Sequence, residues 1–333
     1  MEKRISLAHG DGGELSHRLI KSVFVEAFGH NNEAMFDASA LTIPVRDIAV
    51  TTDSFVIKPV FFPGGSIGKL AVAGTVNDLA VSGAKPLYLT CGFVIEEGFE
   101  ISDLRAIVSD MAKEAKKTGV TIIAGDTKVV ERGSADGVYI NTTGIGIYEN
   151  GRKPSLQFTE GDAVIISGTI GDHGIAVLAE RGELGISVPI DSDCASLNTM
   201  LLKVCEEIDD VRIMRDPTRG GLATTLVEIA EDFSLTIVLN ESSIPVREEV
   251  HGMCELIGFD PLYIANEGKA ILIVPNEHKD KVMEILLQFP EGKDAAVIGE
   301  VTGTEKGQLL LETPLGSKRL LTRLAGMMLP RIC

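Results

Sequence analysis

Apolar residues recur at helical spacing in 14–28, where Leu15, Leu19, Val23 and Phe24 share one face and Gly29 follows as a stop. Residues 47–57 predict a strand, with polar Thr51, Thr52, Asp53 and Ser54 in its middle. A helix is expected over 67–82, ending before Gly83 and carrying Asn77 and Asp78 in apolar surroundings. Residues 86–95 alternate as a strand. Ser102 stands where a cap would, ahead of a helix with Leu104, Ile107, Val108, Met111 and Ala115 on one face and Gly119 at its end. A strand at 120–124 then runs into Gly125-Asp126-Thr127-Lys128, and another covers 137–148.

Gly151-Arg152-Lys153-Pro154-Ser155 marks a junction, after which a second series begins. It comprises strand 162–167, helices 174–181, 195–208 and 220–232, strand 235–239, helix 246–257, strand 262–274 and helix 277–288, with short strands near 295–302 and 308–312. Helices and strands mix without a regular βαβ repeat. That predicts two tandem domains of α/β and α+β type, 1–150 and 151–313, followed by a flexible tail, 314–333.

At 333 residues the chain is long enough for two cores. Its net charge of −17 argues against nucleic acid and anionic membrane as partners, since both select cationic surfaces. An acidic protein that binds phosphates must gather cations locally. The tail departs from the average: Lys318, Arg319, Arg323 and Arg331 occur there without an acidic residue. The five cysteines include no CxxC or zinc spacing, and no apolar run resembles a signal or a membrane span. The expectation is a reduced, cytoplasmic protein. Cys91, Cys205 and Cys254 fall on apolar faces and read as core, while His251 and Cys254 make only a weak metal pair.

Carboxylates interrupt the apolar pattern at Asp37, Asp53, Asp78 and Asp126. A buried carboxylate needs a partner, and several together suggest a shared hard cation. With Lys128 close by, a metal–phosphate site is the reading; isolated caps and turns are the alternative. Pro63-Gly64-Gly65-Ser66-Ile67-Gly68-Lys69 looks like a phosphate loop but lacks the Walker spacing. Asp216-Pro217-Thr218-Arg219-Gly220-Gly221 opens a helix whose free N–H groups suit an anion. Asn266-Glu267-Gly268-Lys269 is an odd insertion in an apolar strand unless Glu267 is aimed at a site. Cys333 sits on the tail after Pro330, Arg331 and Ile332, and a thiol on a mobile tip is suited to carrying a group between sites.

Together these segments, with Gly168-Thr169-Ile170-Gly171-Asp172-His173-Gly174 and Pro330-Arg331-Ile332-Cys333, closely resemble the HypE family of hydrogenase maturation proteins, within the aminoimidazole ribonucleotide synthetase-like superfamily. The resemblance covers nearly the whole chain. It implies a two-domain fold whose N-terminal sheet pairs across a homodimer, and ATP with Mg²⁺ held mainly by the N-terminal domain. It implies that Cys333 accepts a carbamoyl group from the carbamoyltransferase HypF. ATP would phosphorylate the carbamoyl oxygen, and loss of phosphate would leave a thiocyanate. The cyanide would pass to the iron of [NiFe] hydrogenase, held by the assembly proteins HypC and HypD. On this reading Asp37, Asp53 and Asp78 hold metal. Asn77, Asp126, Thr127 and Lys128 contact nucleotide, and Lys128 or Glu267 is the base. Rival readings are a selenophosphate synthetase, a thiamine-phosphate kinase, or a nucleotide-binding carrier without turnover. The first would be expected to carry a reactive Cys near the N-terminus, where Ala8-His9-Gly10-Asp11-Gly12-Gly13 has none.

Overall fold

The structure, a computed structural model, describes residues 3–9, 14–29, 47–149, 153–182 and 188–324. The first helical region comprises α1 (Glu14–Leu19), a π-helical stretch (Ile20–Val25) and α2 (Glu26–Phe28), closed by Gly29. Then follow β1 (Ile48–Phe55), a small hairpin of β2 (Phe61–Phe62) and β3 (Gly65–Ser66), α3 (Ile67–Val81), β4 (Lys85–Glu96), α4 (Ile101–Thr118), β5 (Thr121–Val130) and β6 (Val138–Ile147). The long strands form a sheet in the order β1-β6-β4-β5, in which only β4 and β5 run parallel, joined through α4.

Alternation assigns the two faces of this sheet. Phe55, Leu89, Cys91, Phe93, Ile95 and Ile140 point inward and are buried in one core with residues of α3 and α4. The outward set includes Val50, Thr52, Asn141 and Val94. Val50 is 61% exposed, so among the described residues this part of the outward face has no cover. Helix α3 is apolar nearly all round and almost wholly buried. Its Ala80 and Val81 enter a core built mainly from the second half, so α3 links the two halves.

The second half contains β7 (Ala163–Ile166), α5 (Asp172–Glu180), α6 (Asn198–Glu207), β8 (Ile213–Arg215), α7 (Gly221–Asp232), β9 (Thr236–Asn240), α8 (Glu248–Ile257), β10 (Ile271–Val274), α9 (Lys279–Leu286), β11 (Ala296–Gly303), β12 (Gln308–Glu312) and β13 (Lys318–Leu321). Its sheet order is β13-β12-β9-β11-β7-β10-β8. β7 and β10 are buried throughout, because one core lies against each face.

Four expectations are corrected. Glu100, not Ser102, is the N-cap of α4, and it makes no side-chain cap bond. β5 continues through Gly125–Lys128 because the β4 ladder extends to Val130. The long strand expected over 262–274 is only β10; Pro261–Tyr263 form a 3-10 turn, and Asn266–Lys269 lie in the loop before β10. Within the tail expected to be flexible from 314, Lys318–Leu321 form β13, antiparallel to β12.

Candidate active site

A cleft of about 690 Å³ lies between β1, the C-terminal end of α3 and the β8–α7 turn. That volume suits a nucleotide-sized ligand. Thr51, Asp53, Asp78, Arg215, Asp216, Arg219 and Glu228 are among its lining residues. The polar middle of β1 thus has a purpose. Inward-pointing Thr51 and Asp53 face α3, and the Thr51 hydroxyl donates to Asp78 Oδ2 at 2.7 Å. Asp53 Oδ1 accepts the N–H of Ser54 at 2.8 Å.

The carboxylates here lack enough counter-charge. Burial raises the pKa of Asp53 and of Asp78, and the Asp53 charge pushes Asp78 further up. Asp216 is raised to about 7, first by burial and then by Asp78. Among the described residues no three His, Cys, Asp or Glu side chains make a metal cage by themselves. Two hard carboxylates open to a cleft do fit Mg²⁺, which takes one or two from protein and completes its shell with phosphate and water. Asp37 and Cys333 lie outside the described residues.

Glu267 is not in the cleft wall but lies within electrostatic reach of its Asp53, Asp216 and Arg219. It is 3% exposed, and its Oε1 has no hydrogen-bond partner. Burial drives its pKa well above the ordinary range, and Asp193, Asp216 and Asp53 add to this while Arg219 opposes it. Its loop is fixed by Asn266, which is fully buried. Asn266 Oδ1 accepts the N–H of Gly171 at 2.7 Å, and Nδ2 donates to the carbonyls of Pro217 at 3.0 Å and Ile264 at 3.1 Å. One side chain therefore gathers three motifs remote in sequence: Gly168–Gly174, Asp216–Gly221 and Asn266–Lys269. Gly221, at φ +62°, has no room for a Cβ, which would meet the carbonyls of Ile264 and Leu262 at 2.6 and 2.7 Å.

The structure brings Asp53, Asp78 and Glu267 to one region but separates the other expected members. Asn77 is 2% exposed. Its Nδ2 donates to the Ala195 carbonyl at 2.9 Å, and its Oδ1 accepts the Leu197 N–H at 2.8 Å. With its amide bonded to backbone, Asn77 ties α3 to that segment. Asp126 and Lys128 form an exposed ion pair at 3.1 Å, and the hydrogen bond from Lys128 is the main cause holding the Asp126 carboxyl low. Register places Asp126 in a row with Gly92, Asn141 and Ser54, on the outward face. Asp53 lies in the next row, facing inward. Three strand spacings, about 14 Å, also separate β5 from β1. Thr127 donates its N–H to Asp126 Oδ1 at 2.8 Å and shares that distant position.

The look-alike phosphate loop is a hairpin and a helix cap. Lys69 Nζ donates to the Gly64 carbonyl at 2.9 Å, and Ser66 caps α3. His251 is exposed on α8 and Cys254 buried, so they do not pair. Asp193, Asp216 and Arg219 were not among the expected site residues. The turn around Asp216 drew notice for its glycines, and nothing local distinguished Asp193.

Three comparisons bear on identity. The model of the AIR synthase related protein N-terminal domain matches residues 36–148, and that of the C-terminal domain matches 159–312. The carbamoyl dehydratase HypE of Rhodobacter capsulatus is 45% identical, covering 100% of this chain and 99% of that protein. A crystal structure of the hydrogenase maturation protein HypE in complex with ATP superposes with a TM-score of 0.93 at 45% identity, over 98% of this chain and 99% of the other. HypE from a HypE–HypF complex matches with a TM-score of 0.80 at 47% identity, over 92% and 99%. With both domain models matched and identity sustained from end to end, the chain belongs to the HypE family of AIR synthase-related proteins.

Proposed function

We propose that this protein is an ATP-dependent carbamoyl dehydratase that converts an S-carbamoyl group on Cys333 to a thiocyanate, for delivery as the cyanide ligand of [NiFe] hydrogenase iron. Residues 1–150 would form the ATP-binding domain and 151–313 the second domain. The observation that carries the reading is the acidic cleft together with buried Glu267, whose Oε1 has no hydrogen-bond partner and which lies within electrostatic reach of the cleft residues Asp53, Asp216 and Arg219. Cations, phosphate and an acceptor of protons are what such a site lacks or offers.

The carbamoyl oxygen attacks the γ-phosphorus of ATP, the bond to ADP breaks, and one N–H proton leaves as the C=N bond forms. The C–O bond to phosphate then breaks as the second N–H proton leaves, giving S–C≡N, ADP and phosphate. Phosphoryl transfer needs alignment and charge neutralisation above all. Asp53 and Asp78, with Asp37, would hold Mg²⁺, which would neutralise charge on the phosphates. Arg219 lies within electrostatic reach of both Asp53 and Glu267, so it can offset charge as the phosphate leaves. Glu267 receives a carbamoyl proton: its buried Oε1 has no hydrogen-bond partner to compete for it.

Lys128, Asp126 and Thr127 cannot reach this cleft in the same chain. The uncovered sheet face that carries Asp126 and Lys128, with Val50 and Ile48 exposed on β1, fits pairing with a second copy. Such a homodimer would set Lys128 of the partner subunit beside β1, where it can meet nucleotide phosphates. HypF would supply the carbamoyl group, and HypC and HypD would receive the cyanide. No helix among the described residues is long and apolar enough to cross a membrane, and we read the protein as cytoplasmic, with no nucleic-acid partner.

The test is ATP hydrolysis by carbamoylated protein. Turnover limited to one equivalent per carbamoyl group, and absent from Cys333→Ala, is expected. Equal hydrolysis by parent and Cys333→Ala would contradict the reading.

A further inference from the structure

We infer that Asp193 is a positioning residue for Glu267 in carbamoyl dehydration, an inference that rests on the reading of Glu267 as the base. The Asp193 side chain is 1% exposed. Its Oδ1 accepts the N–H of Glu267 at 3.1 Å and its Oδ2 the N–H of Gly268 at 3.2 Å. Lys269 Nζ stands 3.8 Å from Oδ2 as the counter-ion. One carboxylate thus grips two successive amides, and charge-assisted bonds of this kind are strong and directional.

The segment that carries Asp193 is itself fixed to the first half of the chain. Ser192 donates its N–H to the Pro63 carbonyl at 2.8 Å. Asn77 holds the Ala195 carbonyl and the Leu197 N–H, and the Ser196 hydroxyl donates to Glu114 Oε1 at 2.6 Å. The Ala195 N–H also donates to the Glu267 carbonyl at 3.4 Å. A Cβ on Gly268 would overlap the Asp193 carbonyl oxygen, so the two backbones lie in direct contact. Glu267 comes from the second half, while Asp78 comes from α3 in the first. Asn77 Nδ2 also donates to the Glu267 carbonyl at 3.5 Å, and Asp193 adds the grip on the Glu267 and Gly268 amides that holds the side-chain end of this loop in place. A misplaced base costs rate without weakening ground-state binding of a ligand it does not touch.

The experiment is a double-mutant cycle in full-length carbamoylated protein, reading single-turnover nitrile formation and ATP affinity. Asp193→Asn keeps the shape but offers only one acceptor to the two amides. It should slow nitrile formation about tenfold or more, with ATP affinity held within about twofold. Combined with Glu267→Gln, it should slow the reaction no further than Glu267→Gln alone, because both act through one group. An unchanged rate in Asp193→Asn, or losses that multiply in the double variant, would overturn the inference. A full rate in Glu267→Gln alone would overturn the base assignment itself, and the inference with it. If Asp193→Asn does not fold, Lys269→Gln removes the counter-ion and leaves the carboxylate in place. The same non-additivity with Glu267→Gln is expected, and multiplying losses would overturn the inference.

Discussion

The N–H of Leu324 donates to the hydroxyl of Thr224 at 3.4 Å, one residue before Thr225 in the wall of the acidic cleft. The approach to this point is anchored. Arg323 pairs with Glu231 at 2.6 Å, Arg319 pairs with Asp260 at 2.9 Å, and the Tyr263 hydroxyl donates to the Thr322 carbonyl at 2.9 Å. The basic end of an acidic protein is thus held on its own surface. The nine residues beyond Leu324 reach at most about 30 Å from that anchor on α7, the helix that carries the cleft residues Thr225 and Glu228. Removing residues 325–333 should abolish nitrile formation and change ATP affinity by less than about twofold. Nucleotide titration with mass analysis of the product checks both. Arg323→Ala should have a small effect, because an exposed ion pair is screened by solvent and contributes little.

Asp53 and Asp78 meet across β1 and α3, and both carry raised proton affinities that a divalent cation would reverse. Asp78→Asn should weaken ATP binding in Mg²⁺ by about tenfold or more, and the difference should shrink when Mg²⁺ is chelated. Calorimetric titration with and without chelator gives the comparison. Equal affinities in Mg²⁺ would remove Asp78 from the metal site.

Asp216, at about 7, gives a pH signature in the ligand-free protein. Its folded pKa is above its unfolded value, so the folded state holds the extra proton between about pH 4 and 7. Stability from this group therefore falls as pH rises through that window. Asp216→Asn removes the cost of the charged form. It should stabilise the protein above pH 7 by about 2 kcal/mol, allowing for partial exposure to the cleft, with the gain fading toward pH 4. Denaturant unfolding across this range tests the sign. A gain that grows on acidification would contradict it.

Opposite faces of one sheet carry Asp53 and Asp126, and the proposed homodimer has a second copy supply Lys128. An equal mixture of unfolded and refolded Asp78→Asn and Lys128→Ala chains should then recover roughly a quarter of parental activity, from mixed dimers with one intact site. No recovery, with mixed dimers shown to form, would place both residues' functions within one chain.

Much of this was legible in the chain, and what was not has a physical cause. The helix at α3 and the polar centre of β1 were visible as interruptions of apolar pattern, because inward carboxylates are costly without a purpose. The apolar character of 262–265 mimicked a strand, since residues buried in a loop are as apolar as residues in a sheet. Asp126 looked equivalent to Asp53, because the sequence does not show that one residue of register puts them on opposite faces. An amide inside an apolar helix demands partners, and the structure gives Asn77 the backbone groups of Ala195, Leu197 and Glu267. Asp216 and Asp193 gained their roles only from long-range packing around Asn266 and Glu267, which no local pattern reveals.

The most direct measurement is the intact mass of the protein, carbamoylated on Cys333, before and after addition of ATP and Mg²⁺. A loss of one water, localised to the peptide containing Cys333 and absent from Glu267→Gln, is the predicted result. An unchanged mass with ATP consumed, or the same loss in Cys333→Ala, would contradict the account.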